Sequence, residues 1–160
     1  MIRPIRTDDC DAIAAIEAQT FNTAFDRGRL LTFMEKQAFC GFVDEVNVPN
    51  TACKLNNLDM FKNLVGYLLA TIILDEAEIL SIAVRLDHQK CGRGAGLLGY
   101  FLAFIAAQDV KTVLLEVAAD NVSALTLYHR HGFVEFGRRR SYYKRSDGNC
   151  DAIMMRRLGD

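Results

Sequence analysis

"VRLDHQKCGRGAGLLGY", residues 84 to 100, supports two phosphate-binding readings, and the choice between them decides the fold. Gly94, Gly96 and Gly99 fit G-x-G-x-x-G, a dinucleotide fingerprint, with Glu116 near the distance downstream at which an acid holds a ribose. Counted from Gln89, the same residues read Q-x-x-G-x-G. The dinucleotide motif needs its first glycine directly after a strand, in the tight turn that opens a helix. Here the apolar run ends at Val84, and polar Arg85 to Cys91 intervenes. Its sheet also needs repeated β-α-β units, whereas the chain before Val84 reads as a hairpin and Glu116 falls inside the next strand. The second reading asks for less. Gln89 to Ala95 forms a glycine-bearing turn leading into a helix from Gly94, where free N–H groups and the helix dipole face an anion. Gly92 and Gly94 put no side chain between backbone and oxygen, while Lys90 and Arg93 supply countercharge. Gly96 and Gly99 cost the helix about 1 kcal/mol each relative to alanine, which close packing or close ligand approach would offset.

Working outward, Leu64 to Leu74 and Ala77 to Val84 are β-branched-rich runs joined at "LDEAE", the pattern of a hairpin. In the Gly94 to Gln108 helix, Leu97, Leu98, Phe101, Leu102, Phe104 and Ile105 nearly encircle the axis, which predicts burial on all sides. Thr112 to Val117 reads as a strand. Asn121 to His131 reads as a short helix closed by Gly132 at its C′ position. Phe133 to Tyr143 and Ala152 to Arg157 form a last pair of strands. Upstream, Ile2 to Arg6 is a short strand. Thr7 is the expected N-cap of a helix running to about residue 20, with Asp8, Asp9 and Asp11 suiting its N-terminus. Asp26 to Gln37 is a second helix, and Gly41 to Val46 a strand. Residues 47 to 62, Asn-rich and containing Pro49, read as a loop or insertion.

The chain has 160 residues, a length that predicts one domain over 1 to 160. A formal charge of −1 gives no global attraction to nucleic acid or to an anionic membrane. The stretch from Met1 lacks an apolar signal region. The longest uncharged apolar runs, 63 to 74 and 94 to 108, fall short of the roughly 20 residues that span a bilayer, so a cytoplasmic protein is expected. The five cysteines, Cys10, Cys40, Cys53, Cys91 and Cys150, are scattered without a C-x-x-C. His88, His129 and His131 form no ligand spacing, so no metal site is expected.

"SIAVRLDHQKCGRGAGLLGYFLAFIAA" followed by "LLEVAADNVSALTLYHRHGFVEFGRRRSYYKR" resembles the GCN5-related N-acetyltransferase (GNAT) superfamily. Gln89, Lys90, Cys91, Gly92, Arg93 and Gly94 match its Q/R-x-x-G-x-G/A pyrophosphate loop. The pattern "LEV..DN..A..LY...GF..FG.R..YY" with "DAI.M...L" is most similar to the RimI-like branch, which acetylates the N-terminal alanine of a small-subunit ribosomal protein. The resemblance is specific from about residue 64 to 158. Two stretches depart from the branch. Its Pro-Trp pair after the first helix is replaced here by "TFNTAFDRGRL", and its acid before "DAI" by Asn149 and Cys150. Both border the acceptor site, so the acceptor stays open: a protein N-terminal α-amine or a small-molecule amine.

The resemblance implies an α/β (α+β) fold, a mixed, mostly antiparallel sheet flanked by helices and splayed at a cofactor cleft between Leu80 to Val84 and Thr112 to Val117. It implies acetyl-CoA as co-substrate, with the pantetheine arm along backbone groups of Ile82, Ala83 and Val84, Gln89 in the cofactor-binding motif and the pyrophosphate on the loop from Lys90 to Ala95. It assigns Glu116 as general base, Tyr128 as the acid that protonates the departing sulfur, Asn121 as a ligand of the cofactor arm, and Tyr142 and Tyr143 as walls of the acceptor site. Direct attack by an amine makes a base useful: at pH 7 an α-amine of pKa about 8 is roughly a tenth neutral, and a lysine far less. Each residue also has a plain role open to it: Glu116 facing solvent, Tyr128 as core, Asn121 as a helix cap. "RRRSYYKR", Arg138 to Arg145, mixes cations and aromatics, but strand alternation splits it between two faces and the net charge argues against nucleic acid. Its arginines are expected to be solvated or to meet an acidic part of a ligand. A non-catalytic acyl-CoA-binding module is the rival on the same fold, and a monomer or homodimer is expected.

Overall fold

The structure is a computed structural model that describes residues 1–21, 25–46, 63–145 and 148–159. Among these residues the elements run β1 (Ile2–Pro4), α1 (Cys10–Thr20), α2 (Arg27–Met34), β2 (Phe39–Glu45), β3 (Leu64–Ile73), β4 (Glu76–Val84), α3 (Arg93–Ala106), β5 (Thr112–Ala118), α4 (Val122–Arg130), β6 (Val134–Tyr143) and β7 (Cys150–Leu158). The strands pair in the order β1-β2-β3-β4-β5-β7-β6. β1 with β2, β5 with β7 and β6 with β7 are antiparallel; β4 and β5 are parallel. A parallel pair needs a crossover, and α3 supplies it. The result is the mixed, mostly antiparallel sheet with helices that the resemblance implies. The reading of 47 to 62 as a loop or insertion lies outside the described residues.

The β4–β5 ladder is short. Its pairs run from Glu76↔Thr112 to Ile79↔Leu115, although β4 continues to Val84 and β5 to Ala118.

Two compact units divide the chain, Met1–Leu69 with Ser81–Phe101, and Ala70–Leu80 with Leu102–Asp160. In the first, Ile13 and Ile16 of α1, Tyr67 and Leu68 of β3, and Leu97, Leu98 and Phe101 of α3 are all buried. Leu64 to Ala70 is buried at every position, which accounts for an unbroken apolar run where a half-exposed strand would alternate. A 3-10 turn, Thr7–Asp9, precedes α1, so Thr7 is not its cap. The Asp9 carboxylate instead accepts the Arg6 N–H at 2.7 Å and clasps the Arg3 guanidinium at 2.7 and 2.8 Å.

Expected all-round burial of α3 does not hold. Leu97, Leu98, Phe101 and Ile105 face inward, while Tyr100 and Phe104 are 41% and 39% exposed. The Phe42 ring meets Tyr100 edge-on at 5.0 Å and covers part of that outer face.

Among the described residues of the first unit, Glu17 is the most deeply buried acid. It lies at the end of α1 and is 1% exposed. Its Oε1 accepts from the Tyr67 hydroxyl and, at 2.6 Å, from Ser81 Oγ, with the two hydroxyls 3.0 Å apart. A buried carboxylate costs several kcal/mol unless hydrogen-bonded, and the two hydroxyls offset that cost. They also tie α1 to β3 and to the β4 segment beyond the β5 ladder.

In the second unit β5 alternates: Val113, Leu115 and Val117 are buried, and Leu114 and Glu116 are half-buried. β6 is the edge strand, exposed along most of its length.

Candidate active site

The loop in the first unit begins with Gln89, whose Nε2 donates to the Val84 carbonyl at 2.9 Å. This bond closes the strand end onto the loop. Lys90 and Gly92 then take positive φ, 61° and 82°. A Cβ at Gly92 would touch nothing within 4 Å, so the backbone angle and not crowding selects glycine. Alternating left-handed residues turn successive N–H groups to one side, the nest that binds anions. Gly96 N is the first amide to return to the helix, reaching Gly92 O at 2.9 Å. Among the described residues the amides from Lys90 to Ala95 make no backbone hydrogen bond, which leaves them for a ligand at the positive end of α3. Cys91 is exposed, its Sγ donating to the His88 carbonyl at 2.8 Å. Ile82 is half-buried, and Ala83 and Val84 are buried. These residues fit a pyrophosphate on amides with little side-chain interference. Arg93 departs from the expected countercharge: its Nη1 donates to Asp44 Oδ2 at 2.7 Å.

In the second unit the fold builds Tyr128 into place through the end of α4. Phe133 N–H donates to the Tyr128 carbonyl at 3.1 Å and Gly132 N–H to the His129 carbonyl at 3.1 Å, a Schellman closure. Gly132 has φ 82°, the left-handed C′ position expected of it. The hydrophobic contact of this motif is Tyr128 against Phe133, with ring centroids 5.7 Å apart. The ring is 5% exposed, and no hydrogen bond to its hydroxyl occurs among the described residues. Burial, with Tyr143 adding to it, pushes the Tyr128 phenol well above its usual range. It holds its proton throughout the neutral range.

Glu116 shares a face of the sheet with its register partner Met154, and Ala118 with Ala152 and Arg139. The small Ala152 lets the Arg139 side chain cross β7, where Nη1 meets Glu116 Oε1 at 3.2 Å. The Arg139 guanidinium also lies 5.3 Å from the Tyr142 ring, and Tyr142 packs edge-on against Tyr143 at 5.1 Å. Burial and then the Glu116 charge raise the Tyr143 phenol. Tyr143 thus lies within electrostatic reach of both Glu116 and Tyr128.

A register shift shapes this wall. Between Arg139↔Ala152 and Tyr143↔Cys150, β6 has two residues more than β7. Ser141 takes φ 52° and its N–H turns to Asp151 Oδ1 at 2.8 Å. Such bulges re-aim side chains, and here simple alternation across Arg138 to Arg145 fails. The arginines mostly meet the chain's own acids: Arg138 pairs with Asp151 at 3.1 Å, and Arg145 with Asp120. Asp120 and Arg145 also line an open depression of about 510 Å³ beside Asn149 and Asp151.

Asn121 caps α4, its Oδ1 accepting the Ala124 N–H at 3.1 Å. Its amide nitrogen has no partner among the described residues. Arg139, Asp44 and Glu17 escaped the motif-based reading. Strand register could have suggested only Arg139.

A sequence model of the acetyltransferase (GNAT) family matches residues 38–133, and the chain belongs to that family. Over 92 residues it is 39% identical to the ribosomal protein bS18-alanine N-acetyltransferase of Escherichia coli strain K12, a match covering 58% of this chain and 62% of the relative. To the Haemophilus influenzae enzyme of the same name it is 37% identical over 102 residues, 62% of this chain and 69% of the relative. The crystal structure of the Escherichia coli ribosomal-protein-S18-alanine N-acetyltransferase superposes with a TM-score of 0.83 at 27% identity, over 99% of this chain and 92% of that one.

Proposed function

We propose that the chain is an acetyl-CoA-dependent N-acetyltransferase whose acceptor is a protein N-terminal α-amine, of the kind named for its bacterial relatives. The observation that carries the reading is Tyr128: a buried phenol, fixed by the Schellman closure of α4, with a hydroxyl that makes no hydrogen bond among the described residues. A purely structural tyrosine normally satisfies its hydroxyl when buried. Acetyl-CoA supplies an acetyl thioester when bound. The Lys90 side chain and the amides from Lys90 to Ala95 would hold its pyrophosphate and backbone groups of Ile82 to Val84 its arm, while the Asn121 amide nitrogen has no partner among the described residues and could serve a cofactor contact. Glu116, kept in place by Arg139, takes a proton from the attacking amine, directly or through water. As the C–N bond forms and the C–S bond breaks, Tyr128 donates its proton to sulfur. Tyr142 and Tyr143 flank the acceptor. On a ribosomal-protein acceptor the chain would work in the cytoplasm.

The test is thiol release from acetyl-CoA with peptides beginning in alanine, against lysine-bearing peptides and polyamines. Release with the alanine peptides supports the reading. Release only with polyamines replaces the acceptor class, and none with any amine favours the non-catalytic module.

A further inference from the structure

Arg93 stands in the proposed pyrophosphate loop, yet its guanidinium is engaged elsewhere. Nη1 meets Asp44 Oδ2 of β2 at 2.7 Å, and Asp44 is 5% exposed. Asp44 Oδ1 in turn lies 3.1 Å from the Met1 nitrogen. Arg93 Nε is buried and has no hydrogen-bond partner among the described residues, a cost the side chain bears in holding this pose. A cation meant for phosphate is left free to point at it. Lys90, exposed and without a partner among the described residues, fits that description. Arg93 does not.

The pair joins elements already in contact. Phe42 of β2, on the same face as Asp44 by strand alternation, lies 5.0 Å from Tyr100 and 6.4 Å from Phe101 of α3. Asp44 extends that contact to the first residue of α3, immediately after the left-handed Gly92.

We propose that Arg93 is a positioning residue: clamped by Asp44, it fixes where the amides of the 89–95 loop point and does not itself bind phosphate. The inference rests on the acetyl-CoA reading of that loop. Two outcomes would defeat that reading and the inference with it: no uptake of acetyl-CoA by the wild type, or wild-type affinity in Gly92→Val.

With the reading intact, calorimetric titration of acetyl-CoA into Asp44→Asn, Arg93→Met and the double variant decides the matter. Each single variant should weaken binding about tenfold, and the double variant no further, because both changes break one clamp. The KM for S-acetylpantetheine, which lacks the pyrophosphate, should stay within twofold. Were Arg93 a phosphate ligand, Asp44→Asn would release it and tighten binding. Tighter or unchanged binding in Asp44→Asn overturns the proposal, as does an equal loss for S-acetylpantetheine. Arg93→Met gives a second answer if Asp44→Asn fails to fold. Removing a positioning residue leaves the salt dependence of acetyl-CoA binding at its wild-type slope, whereas removing a phosphate contact flattens it.

Discussion

Tyr128→Phe removes one oxygen and keeps the ring against Phe133, 5.7 Å away, and the backbone closure through Gly132. Because the hydroxyl has no hydrogen bond among the described residues, its loss should change folding stability by less than about 1 kcal/mol. For a chain of this size that is a melting shift of no more than about 2–4 °C. Activity should respond very differently. A general acid typically contributes about 10² to 10⁴ in rate, or about 2.7 to 5.4 kcal/mol of barrier. Stopped-flow thiol release under single-turnover conditions should show that loss, with acetyl-CoA affinity unchanged. The raised phenol also means that wild-type activity should not fall through deprotonation of Tyr128 as pH approaches 10. A variant within threefold of the wild-type chemical rate would refute the assignment, leaving Tyr128 as core and water as the proton donor.

Glu116→Gln should lower kcat by a similar order under single-turnover conditions; a rate within threefold of the wild type would remove Glu116 from the proton transfer. Gly92→Val forces a β-branched residue to φ 82°, so it should abolish the thermal shift given by acetyl-CoA while the apo protein stays folded. At 100 times its dissociation constant the ligand adds about 2.7 kcal/mol to the wild type, a shift that scanning fluorimetry resolves. Tyr67 and Tyr128 have phenols raised mainly by burial, and Tyr67 also by Glu17. The unfolded chain loses these protons near pH 10 and the folded chain keeps them, so their contribution is intact below about pH 10 and is lost as pH rises beyond it. Urea unfolding from pH 8 to 11 should show the decline, and Tyr67→Phe should reduce its slope by up to about 1.4 kcal/mol per pH unit. An unaltered slope contradicts it.

The parts of the fold legible in the sequence are those governed by neighbours along the chain. Gly132 announces the end of α4 because a left-handed C′ residue is a local requirement, and that same end fixes Tyr128. The strand from Thr112 to Val117 was legible as a β-branched-rich apolar run, and the structure adds that Val113, Leu115 and Val117 are buried on the face opposite Glu116. The 89–95 turn was readable because its glycines mark a local backbone need. The hidden parts are contacts across long separations: Asp44 to Arg93 spans 49 residues, and Ser81 to Glu17 spans 64. No local pattern encodes them. The bulge at Ser141 was hidden for another reason, since a serine with positive φ carries no strong turn signature and its N–H is held by the side chain of Asp151. The outer face of α3 misled because Tyr100 and Phe104 are apolar yet exposed, and periodicity registers only hydrophobicity.

The most direct test of the central claim is mass spectrometry of the products formed from acetyl-CoA and a set of peptides, some beginning with alanine, all with an internal lysine. The proposed function predicts a single added acetyl group on the α-amine of the alanine peptides, lost in both Tyr128→Phe and Glu116→Gln. Acetyl groups found only on lysine side chains, or α-amine products formed equally well by both variants, would contradict it.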